Sequence, residues 1–292
     1  MFLITTPNGN VGRHITDALR NREDVRYLVR SERGASAVGA VRGEIVLGDA
    51  ADPEDVRRAL AGVERLYLAH PFGDDQVAVE TAFGLAALDA GVRRIVKLGA
   101  RAFGPGITPD AVTGVHDEIV GRLTEAGVPE LTVLRPDRFM QNFLSTAVAL
   151  AEGSLPDPAG VGARGFVDAR DIAEVAVAEL LADEPVGGDV ELSGPEELTL
   201  PAIAERFAAA LGRPVRFVDV PLDDAWRARY REAGMSSYTL TGLEDLYRNY
   251  LAEPASGLGD GVRRVLGRSP RSIDVFASEV LAPAVNAVAA TR

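Results

Sequence analysis

The stretch Phe2-Leu3-Ile4-Thr5-Thr6-Pro7-Asn8-Gly9-Asn10-Val11-Gly12-Arg13-His14-Ile15 constrains the fold more than any other part of the chain. An apolar strand runs into a tight glycine-containing turn and then into a helix start. That geometry sets backbone N–H groups and the positive end of a helix against a pyrophosphate. The usual fingerprint carries glycine where Thr6 stands, so only Gly9 and Gly12 keep the close-approach spacing. A plain strand-to-helix turn with no ligand is the competing reading. As a dinucleotide site, the turn puts the pyrophosphate over Asn8, Gly9, Asn10 and Val11, with Thr6 narrowing the turn and Gly12 completing the cofactor-binding set.

The strand-then-helix unit recurs down the chain. Residues 11–19 place Val11, Ile15, Ala18 and Leu19 on one helical face, and Val25 to Arg30 reads as a second parallel strand ending in a turn-like Ser31-Glu32-Arg33-Gly34. In a dinucleotide fold the tip of this strand faces the adenosine ribose, where a carboxylate selects NAD and a cation accommodates the 2′-phosphate of NADP. Arg30 and Arg33 at the tip point to NADP(H); a solvated strand-end cation is the alternative. Glu44 to Asp49 is a third strand whose Asp49 either accepts from the adenine amino group or caps its own loop. The fourth strand, Val63 to Ala69, ends in His70-Pro71-Phe72-Gly73, a loop where ligand-facing residues sit. A helix from Asp75 to Ala90 leads into Arg93 to Ala100, the fifth strand, which brings Gly99 to the nicotinamide side. After a loop at 103–106, a helix spans about 115–126, and Leu131 to Pro136 is the sixth strand. Strands alternating with helices at this spacing predict an α/β fold, a Rossmann-like doubly wound parallel sheet.

The second half predicts a smaller, mostly helical substrate domain. The boundaries expected are 1–136 with 164–198 for the dinucleotide domain, and 137–163 with 199–292 for the cap. An apolar helix beginning at Asp137 carries Phe139 and Asn142, an aromatic and an amide suited to a pocket or to the core. Gly188 to Gly194 reads as a late strand leaving the sheet. Trp226 opens an aromatic-rich segment compatible either with a planar substrate or with cap packing.

Composition removes several chemistries. The 292 residues contain no cysteine and three histidines, which excludes disulfides and thiol catalysis and makes a His-rich metal site unexpected. No metal is expected. A formal charge of −12 opposes nonspecific nucleic-acid binding. No apolar run of about eighteen residues is evident, so no membrane span and a cytoplasmic location are expected.

The turn at 5–12, the Val29-Arg30 ending, Gly48-Asp49, Leu134-Arg135-Pro136-Asp137-Arg138-Phe139-Met140-Gln141-Asn142, Phe166-Val167-Asp168-Ala169-Arg170-Asp171 and Leu266-Gly267-Arg268-Ser269-Pro270-Arg271 together resemble the NmrA-like branch of the atypical short-chain dehydrogenase/reductases, including NAD(P)H-dependent quinone oxidoreductase-like proteins. The chain departs from typical short-chain dehydrogenases: Leu98-Gly99-Ala100 offers no serine, and the helix that should bear Tyr and Lys has His116-Asp117-Glu118 instead. His116 stands where many NmrA-like proteins carry His, and Asn142 where the family places a pocket amide. With an ordinary pKa of about 6.5, His116 can protonate or hydrogen-bond a reduced acceptor, or can serve as a helix-start residue partnered by its neighbours.

The resemblance implies an NADPH-preferring oxidoreductase that reduces a quinone or other activated, aromatic carbonyl-type small molecule, with His116 catalytic and Phe72, Phe139, Asn142 and Trp226 at the substrate. Two alternatives stand beside it. One is a non-catalytic dinucleotide-binding redox sensor, the only reading that calls for a protein partner; the other is a non-redox enzyme of secondary metabolism on the same scaffold. A homodimer is compatible with each.

Overall fold

The computed structural model describes residues 1–104, 106–107, 110–253 and 255–291. Pro105, within the loop expected at 103–106, lies outside them. The first half is a repeated strand-then-helix unit: β1 (Phe2–Ile4) and α1 (Gly12–Leu19), β2 (Val25–Val29) and α2 (Glu32–Val38), β3 (Glu44–Leu47) and α3 (Pro53–Leu60), β4 (Arg65–Leu68) and α4 (Gln76–Asp89), β5 (Arg94–Leu98) and α5 (Ala111–Glu125), then β6 (Glu130–Pro136). The starts follow capping chemistry. Asp52 accepts from the Glu54 and Asp55 amides with Pro53 in the first turn, and Asp110 accepts from those of Val112 and Thr113. Asp110 therefore starts α5 four residues earlier than the apolar spacing indicates. Ser31, expected in a turn, accepts from the Gly34 amide and caps α2, so Arg33 sits on a helix.

Beyond β6 come β7 (Arg138–Phe139), a 3-10 turn (Met140–Thr146), α6 (Ala147–Ala151), β8 (Ser154–Asp157), β9 (Arg164–Val167), α7 (Ala169–Leu181) and β10 (Gly188–Leu192). Two expectations are corrected here. The segment after Asp137 is not a helix at its start, because Arg138 and Phe139 pair in parallel with Phe166 and Val167 of β9. And β10 does not leave the sheet: it pairs in parallel with β6 from Gly188 against Thr132 to Leu192 against Pro136. Pro136, which ends β6, has no amide to donate, and its carbonyl accepts from the Arg101 amide at 3.1 Å.

The resulting seven-stranded parallel sheet has the order β10-β6-β5-β4-β1-β2-β3. Side chains alternate between its faces. Phe2 and Ile4 pack with Ile15, Leu19 and Ile172 on one side, while Leu3 packs with Val56, Leu60 and Phe83 on the other. The order reverses between β1 and β4, and ligands of such sheets bind at that switch point, outside the carboxyl ends of the strands.

The rest of the chain is β11 (Glu197–Leu198), α8 (Leu200–Leu211), β12 (Arg216–Asp219), α9 (Asp224–Glu232), α10 (Ser237–Ala252), α11 (Gly261–Leu266), α12 (Ile273–Phe276) and α13 (Ala282–Ala290), the last two joined through a π turn (Ala277–Leu281). A second core of Phe143, Leu155, Ile203, Phe207, Phe276 and Leu281 lies under these elements, whereas Val262 of α11 packs with the sheet core. Contrary to the expectation of no such run, residues 273–290 reach the length and apolarity of a membrane span, with a mean hydropathy of 1.4. Their two carboxylates are paired, Asp274 with Arg206 and Glu279 with Arg170, each at 2.6 Å. With Phe276, Leu281 and Val285 buried in the cap core, this segment packs as a helix of the fold.

The family motifs at 137–142, 166–171 and 266–271 meet on one side of the fold. Gln141 donates to Asp168 at 2.9 Å and accepts from the Ala169 amide at 2.8 Å. Asp171, fully buried, accepts from Arg268 and from the Arg271 amide, both at 2.7 Å, and pairs with the Arg271 guanidinium. These residues fasten the tail to α7.

Candidate active site

Two clefts meet over the carboxyl ends of the central strands. The first, of about 290 Å³, is lined by Thr6, Asn8, Gly9, Arg30, Gly48, Asp49, Ala69 and His70. The second, of about 450 Å³, is lined by Asn10, Ala69, His70, Phe72, Gln76, Gly99, His116, Asp137, Phe139 and Asn142, with Tyr250 and Glu253 closing it from the cap. Ala69 and His70 line both, so one groove crosses the switch point.

The glycine turn is built by steric contact. A Cβ on Gly12 would stand 2.0 Å from the Thr6 carbonyl oxygen and 3.1 Å from Pro7 Cα. Thr6 has φ of +48°, and among the described residues it is the only non-glycine residue with positive φ. The fingerprint's missing glycine is therefore missing at a position whose backbone is still left-handed, and a β-branched residue holds it under strain. Thr5 stiffens the same end: its hydroxyl lies 2.9 Å from both the amide and the carbonyl of Ala69, tying β1 to β4.

The turn suits a pyrophosphate. No side chain caps α1, and among the described residues no acceptor takes the amide hydrogens of Asn10, Val11 and Gly12. Unsatisfied N–H groups at a helix start form an anion site. Of these residues Asn10 lines the larger cleft, whereas Val11 and Gly12 are buried and are not among the lining residues of either cleft. Asn8 donates to the Gly34 carbonyl at 3.2 Å and braces the turn against α2. Asp49 accepts from the Ala51 amide at 2.9 Å, which is the loop-capping alternative, and it also lines one end of the groove. Arg30 is exposed at the rim of that end, and Arg33 is exposed on α2 outside the lining.

On the other side, Phe72 stacks on Tyr238 with ring centroids 5.6 Å apart. Asn142 is exposed at the rim. Trp226 is not among the lining residues: it is buried between Tyr230 and Tyr247, at 4.8 and 6.1 Å, which is the cap-packing alternative.

His116 is held by a group that sequence reasoning misses. Lys97, fully buried on β5, lies 2.7 Å from Glu80 and 3.1 Å from His116 Nδ1, and donates to the Leu98 carbonyl at 2.7 Å. Gln76 donates to Glu80 at 2.8 Å. The helix bearing His116 carries no lysine at the expected place, and the ammonium comes from the neighbouring strand. A lysine inside an apolar strand is the signal that could have found it, since buried cations require partners. Burial, then the Lys97 and Arg135 cations, hold the imidazole pKa well below its ordinary value of 6.5, so His116 is neutral at physiological pH. Asp137, also missed, is driven the other way: burial pushes its carboxyl up to about 7, against the pull of Arg101 2.9 Å away.

The His116 shift has a stability consequence with a definite sign. Below about pH 6.5 the unfolded chain binds a proton at His116 that the folded chain refuses, so stability falls as pH drops from there. Asp137 acts oppositely between about pH 4 and 7, because the folded carboxyl keeps a proton the unfolded one has lost. The difference between wild type and His116→Gln isolates the first effect. Denaturant unfolding between pH 5 and 6.5 is expected to show a slope steeper in wild type by up to about 1.4 kcal/mol per pH unit; equal slopes would contradict a neutral buried His116.

Comparison with known proteins places this geometry in a family. The model of the NmrA-like family matches residues 1–249. The NAD(P)H azoreductase of Xenophilus azovorans is 31% identical over 282 residues, covering 95% of this chain and 96% of its own. The (4-alkanoyl-5-oxo-2,5-dihydrofuran-3-yl)methyl phosphate reductase of Streptomyces griseus is 34% identical over 242 residues, 82% of each chain. The solved structure of the NADPH-dependent quinone oxidoreductase of Escherichia coli with NADPH superposes with a TM-score of 0.79 at 21% identity, covering 96% of this chain and 99% of that one. The chain belongs to the NmrA-like family.

Proposed function

We propose that the protein is an NADPH-preferring oxidoreductase that reduces a quinone or another activated, aromatic carbonyl-type acceptor. The observation that carries this reading is the single groove joining an open helix start at Asn10 to Gly12 with a neutral imidazole at His116. The names of the azoreductase and quinone oxidoreductase relatives support it. The reduced nicotinamide, when bound, supplies a hydride. The turn amides would hold the pyrophosphate, Arg30 would meet a 2′-phosphate, and Gly99, which lines the larger cleft just beyond β5, would border the nicotinamide. Phe72 and Phe139 offer apolar walls to a planar acceptor, and His116 hydrogen-bonds its oxygen.

NADPH oxidation against a panel of quinones tests the proposal. Quinone-dependent oxidation is expected, faster with NADPH than with NADH, and at least about tenfold slower in His116→Ala, within the range for a lost hydrogen-bonding or proton-transfer group. Tight NADPH binding with no turnover of any acceptor would overturn it in favour of a sensor.

A further inference from the structure

The buried file Gln76, Glu80, Lys97 and His116 begins and ends on residues that line the larger cleft. Its middle is dry: Glu80 and Lys97 are essentially inaccessible. A carboxylate and an ammonium buried together cost desolvation that can exceed their attraction, so the pair is weak evidence for a stabilising role. The neighbours of Lys97 restrict its hydrogens. The Glu80 carboxylate forms an ion pair with the ammonium at 2.7 Å, the Leu98 carbonyl accepts one of its hydrogens at 2.7 Å, and His116 Nδ1, 3.1 Å from Nζ, is within hydrogen-bonding reach of another.

We propose that Lys97 is the positioning residue of the site: it holds His116 as a neutral imidazole protonated on Nε2, and it replaces from behind the proton that Nε2 gives up. This rests on the oxidoreductase reading above. As an acceptor takes up hydride and negative charge gathers on its oxygen, the Nε2 proton passes to that oxygen. Nδ1 takes a proton from the Lys97 ammonium, so the imidazole stays neutral. Between turnovers Nε2 takes a proton from the solvent of the cleft that His116 lines, and Nδ1 returns its own to the buried Lys97 amine, which restores both groups. Hydride and proton together complete a two-electron reduction, and no further reactant is needed.

The surroundings support a labile Lys97 proton. Burial lowers the Lys97 pKa while Glu80 raises it, with a net lowering from 10.5. Two further titratable groups interact with the pair. Tyr67 on β4 is fully buried, its hydroxyl pushed up by burial and by Glu80. Arg135 on β6 is occupied by Asp117 at 2.7 Å and Asp189 at 2.8 Å. Asp117 is thereby turned to Arg135, while Lys97 meets the His116 ring. The arrangement supplies what a Tyr and Lys on one helix supply elsewhere, with the cation moved to the adjacent strand.

The test uses the full-length protein in two measurements. Nitrogen-15 spectra of the histidine side chains, with His116 assigned by its loss in His116→Gln, are expected to show a neutral imidazole protonated on Nε2 from pH 5.5 to 8. Steady-state kcat with a quinone and NADPH is expected to fall on the alkaline side as the Lys97 ammonium is lost. Lys97→Met alone strands the Glu80 charge, so the informative variant is Lys97→Met/Glu80→Gln, which removes both charges at similar volume. In it kcat is expected to drop at least tenfold with the acceptor KM little changed, the alkaline limb to disappear, and His116 to titrate nearer its ordinary range. A wild-type His116 protonated on Nδ1, or a double variant that keeps the wild-type kcat and pH profile, would overturn the inference. Wild-type protein that turns over no acceptor would instead overturn the oxidoreductase reading, and the tautomer would then decide the role of Lys97 by itself.

Discussion

Gly12→Ala is expected to weaken dinucleotide binding by at least about a hundredfold and to destabilise the fold by about 2–3 kcal/mol, at the upper end for an overpacked site. The added Cβ meets backbone on every near side, with the Thr6 carbonyl oxygen at 2.0 Å and its carbon at 2.9 Å. No rotamer change relieves such contacts, so the turn has to open and its amides lose their convergence. Gly9→Ala, with the same oxygen at 3.3 Å, is expected to cost much less. Thr6→Gly is the opposing control: it removes a left-handed β-branched residue and should leave binding intact, with stability unchanged or raised by up to about 1 kcal/mol. Calorimetric titration with NADPH and denaturant unfolding measure both quantities. Gly12→Ala binding within threefold of wild type would mean that the turn does not hold the phosphates.

The second large effect lies away from the cleft. Asp171→Ala should destabilise the protein by about 3 kcal/mol, the lower end for breaking a buried ion pair, because Arg268 and Arg271 are partly exposed and retain Glu174. The loss includes an acceptor for the Arg271 amide. Equilibrium unfolding in urea is the measurement, with an unchanged denaturant slope expected for a purely native-state effect. A change below about 1 kcal/mol would show that the tail is held by its apolar contacts instead.

The alternation of apolar strands and amphipathic helices through Pro136 is a local pattern, and local patterns are what a sequence displays. It makes the parallel sheet, the switch point and the glycine turn legible. Where tertiary pairing overrides local character, legibility ends. Arg138 and Phe139 look helical in an apolar run, yet β9 is placed to pair with them. The strand at 188–192 follows a long excursion, and nothing local says that β6 still has a free edge for it. The same limit applies at the site. His116 and the cleft walls stand out by type and position, whereas Lys97 acquires its meaning from Glu80, 17 positions earlier, and His116, 19 positions later. Rarity draws Trp226 toward a substrate, but its neighbours are the other aromatic residues of the cap.

The central claim is that one groove across the β1–β4 switch point holds a dinucleotide from Arg30 to His116. A crystal of the protein soaked with NADPH tests this most directly. The expected result is density with the pyrophosphate on the amides of Asn10 to Gly12, the adenosine beside Asp49 and Arg30, and the nicotinamide between Gly99 and His116. A groove left empty at saturating NADPH, or a dinucleotide bound with its pyrophosphate away from α1, would contradict it.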